Sequence, residues 1–275
     1  MKTRRGATFV GVDLAWAVAK NASGVAILQG DSEHVELETI RSDVVSIDEI
    51  AFLVALHQTE TTVVAIDAPL VVENETGQRP CETEIGRRFG RYGASCHSTN
   101  LARPNARNGG LLLHALGANG FHHDFRLDGT LQRPGRWVFE TYPHPAMVRI
   151  WELPQIIRYK KGRIEAKRAG LARLQRFLAT LTQSAIGVHR TAEMTALLTA
   201  DVSMLRGRAL KRHEDSLDAF FCAFLAWHCW RWGVDGNEMI GKQQTGYIVV
   251  PRGRGDPAAS ADYRAFINRV SSPLA

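Results

Sequence analysis

Hydrophobic positions recur along the chain with two different periods. The opening run ATFVGVDLA (7–15) is almost unbroken apolar sequence and predicts a buried strand that meets an acid, Asp13, as it ends. SGVAILQG (23–30) and HVELETI (34–40) predict two more strands, turned at Gly30-Asp31, so the chain opens as an antiparallel meander. In SIDEIAFLVALHQ (46–58) the apolar positions Ile47, Ile50, Leu53, Val54 and Leu56 follow the helical period, and Ser46 with Glu49 makes a capping box. The strand TVVAID (62–67) follows and again ends in an acid, Asp67. Strand, helix, strand predicts a right-handed crossover and parallel pairing.

From 69 to 135 the periodicity fails, and Gly, Pro, Arg, Asn and His are frequent. Short helices are expected at 81–92 and 109–119, and the segment reads as an insertion. WVFETY (137–142) returns to strand. Helices are predicted over 166–181, with Leu171, Leu174, Phe177, Leu178 and Leu181 on one face, over 191–200, and over the strongly apolar 214–232. TGYIVVP (245–251) predicts a late edge strand, and the tail after 252 looks weakly ordered. There is no internal repeat. The pattern predicts one α/β domain over 1–252, with the insertion at 69–135 and a tail at 253–275: a mixed five-stranded sheet, its first three strands antiparallel, with helices on both faces.

Composition narrows the class. The chain has 275 residues, 45% of them hydrophobic, enough for a sizeable core. It contains no apolar run of about 18 residues, so no membrane partner is expected. The apolar run after MKTRRG meets Asp13 too soon for a signal peptide. Four cysteines without a CxxC pair (Cys81, Cys96, Cys222, Cys229) read as free thiols of a cytoplasmic protein. Cys81, Cys96, His97, His122 and His123 fit no familiar zinc spacing. The net charge of +6 is uneven: 79–136 holds nine arginines against four acids, and 158–176 holds eight Lys or Arg against Glu165. Two basic stretches on an otherwise acidic chain suggest a polyanionic partner, with solvated helix faces as the plain alternative.

The acids carry the chemistry. Asp13 and Asp67 end strands expected to be parallel neighbours, which places both at the sheet edge where such folds build sites. Glu140 lies late in a third strand. Asp215 and Asp218, three apart beside Glu214, share a helix face near the expected helix start. Each has a plain reading: Asp13 and Asp67 could cap turns, Glu140 could pair with an arginine, and Asp215 could sit at a helix N-terminus. Asp218 borders the core, where a carboxylate needs a partner. Brought together, such acids suit hard cations, Mg²⁺ or Mn²⁺, and two ions can clamp both oxygens of a phosphoryl displacement.

GVDLAW, AIDAPL, FETYPHP, YKKGR and EDSLDAFFCAFLAW, over roughly residues 7–232, resemble a bacterial family of unknown function described as predicted RNase H-like nucleases. The second half is also similar to RuvC-type Holliday-junction resolvases, which end in a D-x-x-D-A helix. The resemblance implies the ribonuclease H-like fold and a metal-dependent nuclease, with Asp13, Asp67, Asp215 and Asp218 as metal ligands. The superfamily usually carries an acid, often Glu, where this chain has Asp67, one methylene shorter. Its minimal site has no counterpart of Glu140, which is either a further site residue or a buried brace, and its smallest members lack the 69–135 insertion.

Lys160 and Lys161 follow the third acid-bearing strand; either could meet a phosphate or orient water, with Lys161 a candidate catalytic residue and Lys160 a candidate substrate contact. Arg79, Arg87, Arg88 and Arg91, with Tyr92 nearby, could hold phosphates from a lid over the acids. His144 could serve as a base, although its flanking prolines favour a structural turn. A nuclease acting on DNA or RNA competes with two other readings. One is a phosphotransferase or ATPase of the actin and sugar-kinase type, for which the Gly-rich phosphate loop is missing. The other is a non-catalytic nucleic-acid-binding module. A homodimer is compatible with all three, and the sequence leaves the oligomeric state open.

Overall fold

The structure, a computed structural model, describes residues 6–17, 21–123 and 126–271. Asp124, counted among the insertion's acids, and the last four residues of the tail lie outside the described residues. Strands β1 (Ala7–Asp13), β2 (Ser23–Gly30) and β3 (His34–Val44) pair antiparallel in sequence order. Helix α1 (Ile47–His57) then crosses to β4 (Thr61–Ile66), which pairs parallel with β1. Ser46 caps α1 as expected, accepting from Glu49 N at 3.0 Å, whereas the Glu49 carboxylate accepts from Val45 N. Helices α2 (Pro80–Phe89) and α3 (Asn108–Gly117) lie within the insertion, and β5 (Gly135–Glu140) pairs parallel with β4.

Helices α4 (Pro143–Trp151) and α5 (Ile164–Thr180) follow. The prolines of YPHP open α4, because proline lacks the N–H that the first helical turn leaves unbonded. A two-residue strand β6 (Gly187–Val188) pairs parallel with β3, so the sheet has six strands in the order β5-β4-β1-β2-β3-β6, one more than expected. Helix α6 (Ala192–Thr199) leads to α7 (Gly207–Gly236), which starts seven residues before the expected boundary at 214. The segment 245–251 is not an edge of this sheet. It is β8 (Gly246–Pro251), paired with β7 (Asn237–Lys242) in a separate hairpin. The tail is also ordered: α8 (Ala261–Val270) buries Tyr263, Phe266, Ile267 and Val270, and Tyr263 and Phe266 pack on His228 and Trp232 of α7.

Two cores sandwich the sheet. Phe9, Val63, Ala65 and Phe139 join the core under α7, while Val10, Val12, Val64, Ile66 and Val138 join the core under α1 and α3. The long apolar helix sits directly on β1 because of Gly11. A Cβ there would lie 2.0 Å from Ala223 N and 2.1 Å from Ala219 O, so only glycine lets the two backbones meet.

Candidate active site

Strand alternation decides which acids meet. Asp13 continues the face of Phe9 and Gly11, and Asp67 that of Val63 and Ala65, so both emerge under α7. Their strands are adjacent and parallel, and Asp67 N donates to Val12 O at 2.9 Å. Above them α7 presents Asp215 and Asp218 from its third turn, one turn or more beyond the dipole-favoured start that the sequence suggested for them.

Two lysines hold this cluster. Lys160 Nζ lies 3.0 Å from Asp218 Oδ2, a charge contact rather than an aligned hydrogen bond, and 4.0 Å from Asp67 Oδ2. Asp218 is completely buried, and its Oδ1 accepts from the buried Tyr159 hydroxyl at 2.6 Å. Lys211, one turn before Asp215 on α7, donates to Asp215 Oδ1 at 2.5 Å and to Glu214 Oε1 at 2.9 Å. Asp13 and Asp215 hydrogen-bond to each other, with Asp215 the donor. Helix α5 presses onto the loop carrying Tyr159 and Lys160 at Gly170, where a Cβ would stand 2.1 Å from Arg158 O.

Asp13, Asp67 and Asp215 are hard to ionise. Burial, above all, pushes Asp67 up to about 8; Lys160 opposes this, and Asp13 and Asp218 add to it. Asp215 rises to about 7, through burial and then the charge of Asp13. Asp13 is raised too, again chiefly by burial, with Lys160 opposing. Desolvation therefore outweighs the like-charge repulsion among the carboxylates.

Glu140 does not join the cluster. It pairs in register with Ile66, one position before Asp67, and so belongs to the opposite strand face. Arg79 grips it with two bonds, Nη2 to Oε1 at 2.6 Å and Nη1 to Oε2 at 2.8 Å, and Leu70 N donates to Oε2. Arg79 Nε bonds Glu82, which also accepts from the backbone N of Arg79 and Thr99. Arg79 is 1% exposed, so it is a brace tying the insertion to β5 and not a free phosphate contact. Glu140 is its counterpart.

A cleft of about 1160 Å³ opens over the acids. Asp13, Asp67, Asp215, Lys160 and Lys211 line it, with Asp218 buried below. Lys161 lies exposed on its wall. The insertion contributes the loop residues His97, Thr99 and Asn105, and Asn108 at the start of α3. Its helical arginines do not reach the cleft. Arg87 pairs with Glu84, Arg88 with Glu84 and Glu238 on the β7–β8 hairpin, and Arg91 lies over the Tyr92 ring. The expected lid of Arg79, Arg87, Arg88 and Arg91 is thus replaced by a loop wall on one side and, on the other, by Arg208, Lys211 and Arg212 of α7. The sequence reading missed this second basic row because it began the helix at Glu214. Lys211 was findable: a lysine four residues before an acid on a helix forms a pair. His144 lines the cleft with its Nδ1 unbonded, and burial lowers it to about 4, which leaves it a weak base.

Among the described residues, no three His, Cys, Asp or Glu side chains stand around one point as a metal site would, and this holds for the cysteines and His97, His122 and His123 as well. The Lys160 ammonium instead lies between two of the acids. The donor set nonetheless suits a hard divalent cation: oxygen atoms only, desolvated, with carboxylates outnumbering the cations that face them.

The chain matches the family described as "Protein of unknown function (DUF429)" over residues 11–237 and belongs to that family. The matched span runs from β1 to the end of α7 and holds every acid of the cluster. No curated protein and no solved structure matches the chain. No helix among the described residues is long and apolar enough to cross a membrane.

Proposed function

We propose that the protein is a Mg²⁺- or Mn²⁺-dependent nuclease of ribonuclease H-like type that hydrolyses phosphodiester bonds in the cleft above Asp13, Asp67, Asp215 and Asp218. One observation carries this reading: four acids from two strands and a helix converge, desolvated and under-compensated, beneath a cleft with basic walls. A protein that only bound nucleic acid would gain nothing from burying carboxylates at a phosphate site, since they repel the ligand.

The four Asp carboxylates would hold the cation. Bound there, it supplies a Lewis acid for the phosphoryl oxygen and acidifies a water. The remaining roles fall to the chain itself. Arg208, Arg212 and Lys161, lining the cleft, hold backbone phosphates. Lys211 holds Asp215 in place. Tyr159 fixes Asp218 through its hydroxyl.

The test is a cleavage screen with Mg²⁺ or Mn²⁺ over single-stranded, duplex, hybrid and branched DNA and RNA, with Asp13→Asn alongside. Cleavage that requires the metal and disappears in Asp13→Asn is the expected result. Cleavage that persists in the variant places the activity elsewhere. Hydrolysis of a nucleoside triphosphate without polymer cleavage replaces the nuclease with a phosphotransferase or ATPase.

A further inference from the structure

Lys160 stands where a cation would. Its ammonium is within 4.0 Å of carboxylates on β4's end and on α7, its deepest partner Asp218 is wholly buried, and its side chain is still 33% exposed to the cleft. Its neighbour Lys161 lines the same cleft in an exposed position. A buried carboxylate needs a counter-charge, and a lysine ammonium on a flexible four-carbon stem can supply one and later withdraw. From this geometry we infer that Lys160 is an exchangeable counter-ion. It occupies the acid cluster in the metal-free protein, a divalent cation displaces it, and the released ammonium swings into the cleft, where it meets the substrate phosphate. The inference rests on the proposed metal-dependent reading and adds a competition within the same site: one cation enters as the other leaves, so metal loading and substrate binding are linked.

Competition has a signature that simple ligand support lacks. Removing a metal ligand or its support weakens binding, whereas removing a competitor strengthens it. Ca²⁺ and Mn²⁺ binding is measured by calorimetry on the wild type, Lys160→Met and Lys161→Met. Lys161→Met controls for the general loss of one positive charge near the site. Lys160→Met should bind metal about ten-fold tighter than wild type, beyond any gain in Lys161→Met, because a close charge pair in a partly desolvated site opposes the ion. Unchanged or weaker binding in Lys160→Met overturns the inference.

Lys160→Met leaves Asp218 without a charged partner and so risks misfolding. A second measurement uses the unaltered protein: reductive methylation of lysines with and without Mg²⁺, mapped by peptide mass. Labelling of Lys160 should rise several-fold with the metal, while Lys161 stays constant. Constant or falling labelling at Lys160 rejects the exchange. The two readings fail separately. Metal binding with no metal-dependent cleavage removes the nuclease and leaves the exchange standing, whereas metal binding no tighter in Lys160→Met removes the exchange alone. No metal binding to either protein removes both.

Discussion

Asp67 shows how one side chain can carry both a cost and a use. Its carboxyl is raised to about 8 from the ordinary 3.8, mainly by burial. Between those values the folded protein holds a proton that the unfolded chain releases, so stability falls as pH rises across that window, by up to about 1.4 kcal/mol per pH unit for this one group. Asp215, raised to about 7, adds to the same slope. The metal-free protein should therefore melt at a lower temperature at pH 8 than at pH 5. Asp67→Asn should flatten that dependence, because an amide cannot ionise, while abolishing metal-dependent cleavage. Thermal unfolding of both proteins across this pH range checks it, and equal slopes would contradict the burial argument. Glu140 makes a different case: more deeply buried than Asp67, it is matched by a two-pronged arginine on the opposite strand face. In the sequence these two strand-end acids look alike. Only a one-residue difference in register separates them.

At the scale of elements, the contact of α7 with β1 places the site. The helix brings Asp215 and Asp218 over Asp13 only because Gly11 lets backbone approach backbone. Gly11→Ala should push α7 away and destabilise the protein by at least about 1–3 kcal/mol, the usual range for overpacking a close-packed core. Chemical denaturation measures this. Metal affinity should fall alongside, since the helix acids retreat from the strand acids. A variant with wild-type stability and metal affinity would show that the approach does not position the cluster. Periodicity identified the helical character of α1, α5 and α7 and the strand character of β1, β2 and β4, because each carries a long apolar pattern. It could not find β6, whose two residues are defined only by their bonds to β3. It misjudged the start of α7, whose second turn, Lys211 to Glu214, is wholly polar and charged and hides the apolar pattern.

At the scale of the molecule, the hairpin and α8 lie beyond the family match at residue 237, yet they complete the core. Trp232 lies 5.1 Å from Phe266 and 5.5 Å from Tyr263, ring centre to ring centre, and is 7% exposed. Burying one large apolar side chain contributes roughly 1.5–3 kcal/mol. The four buried residues of α8 together approach the net stability of a typical domain, about 5–15 kcal/mol. A chain ending at residue 252 should therefore bind a hydrophobic dye and lose its cooperative thermal transition. A sharp transition near the full-length temperature would make α8 an accessory.

The amino-acid sequence by itself determined the strands and helices with long apolar patterns, the acids that end β1 and β4, and the pair of acids on α7, since these depend on local periodicity and residue type. Tertiary structure alone decided that Glu140 belongs to Arg79, that Lys160 and not Lys161 meets the cluster, that α7's basic turn and not α2 walls the cleft, and that α8 seals the core. Each of these depends on strand register, helix start or a contact between distant segments. Such contacts are fixed by which surfaces can be buried together, and a linear pattern does not record them.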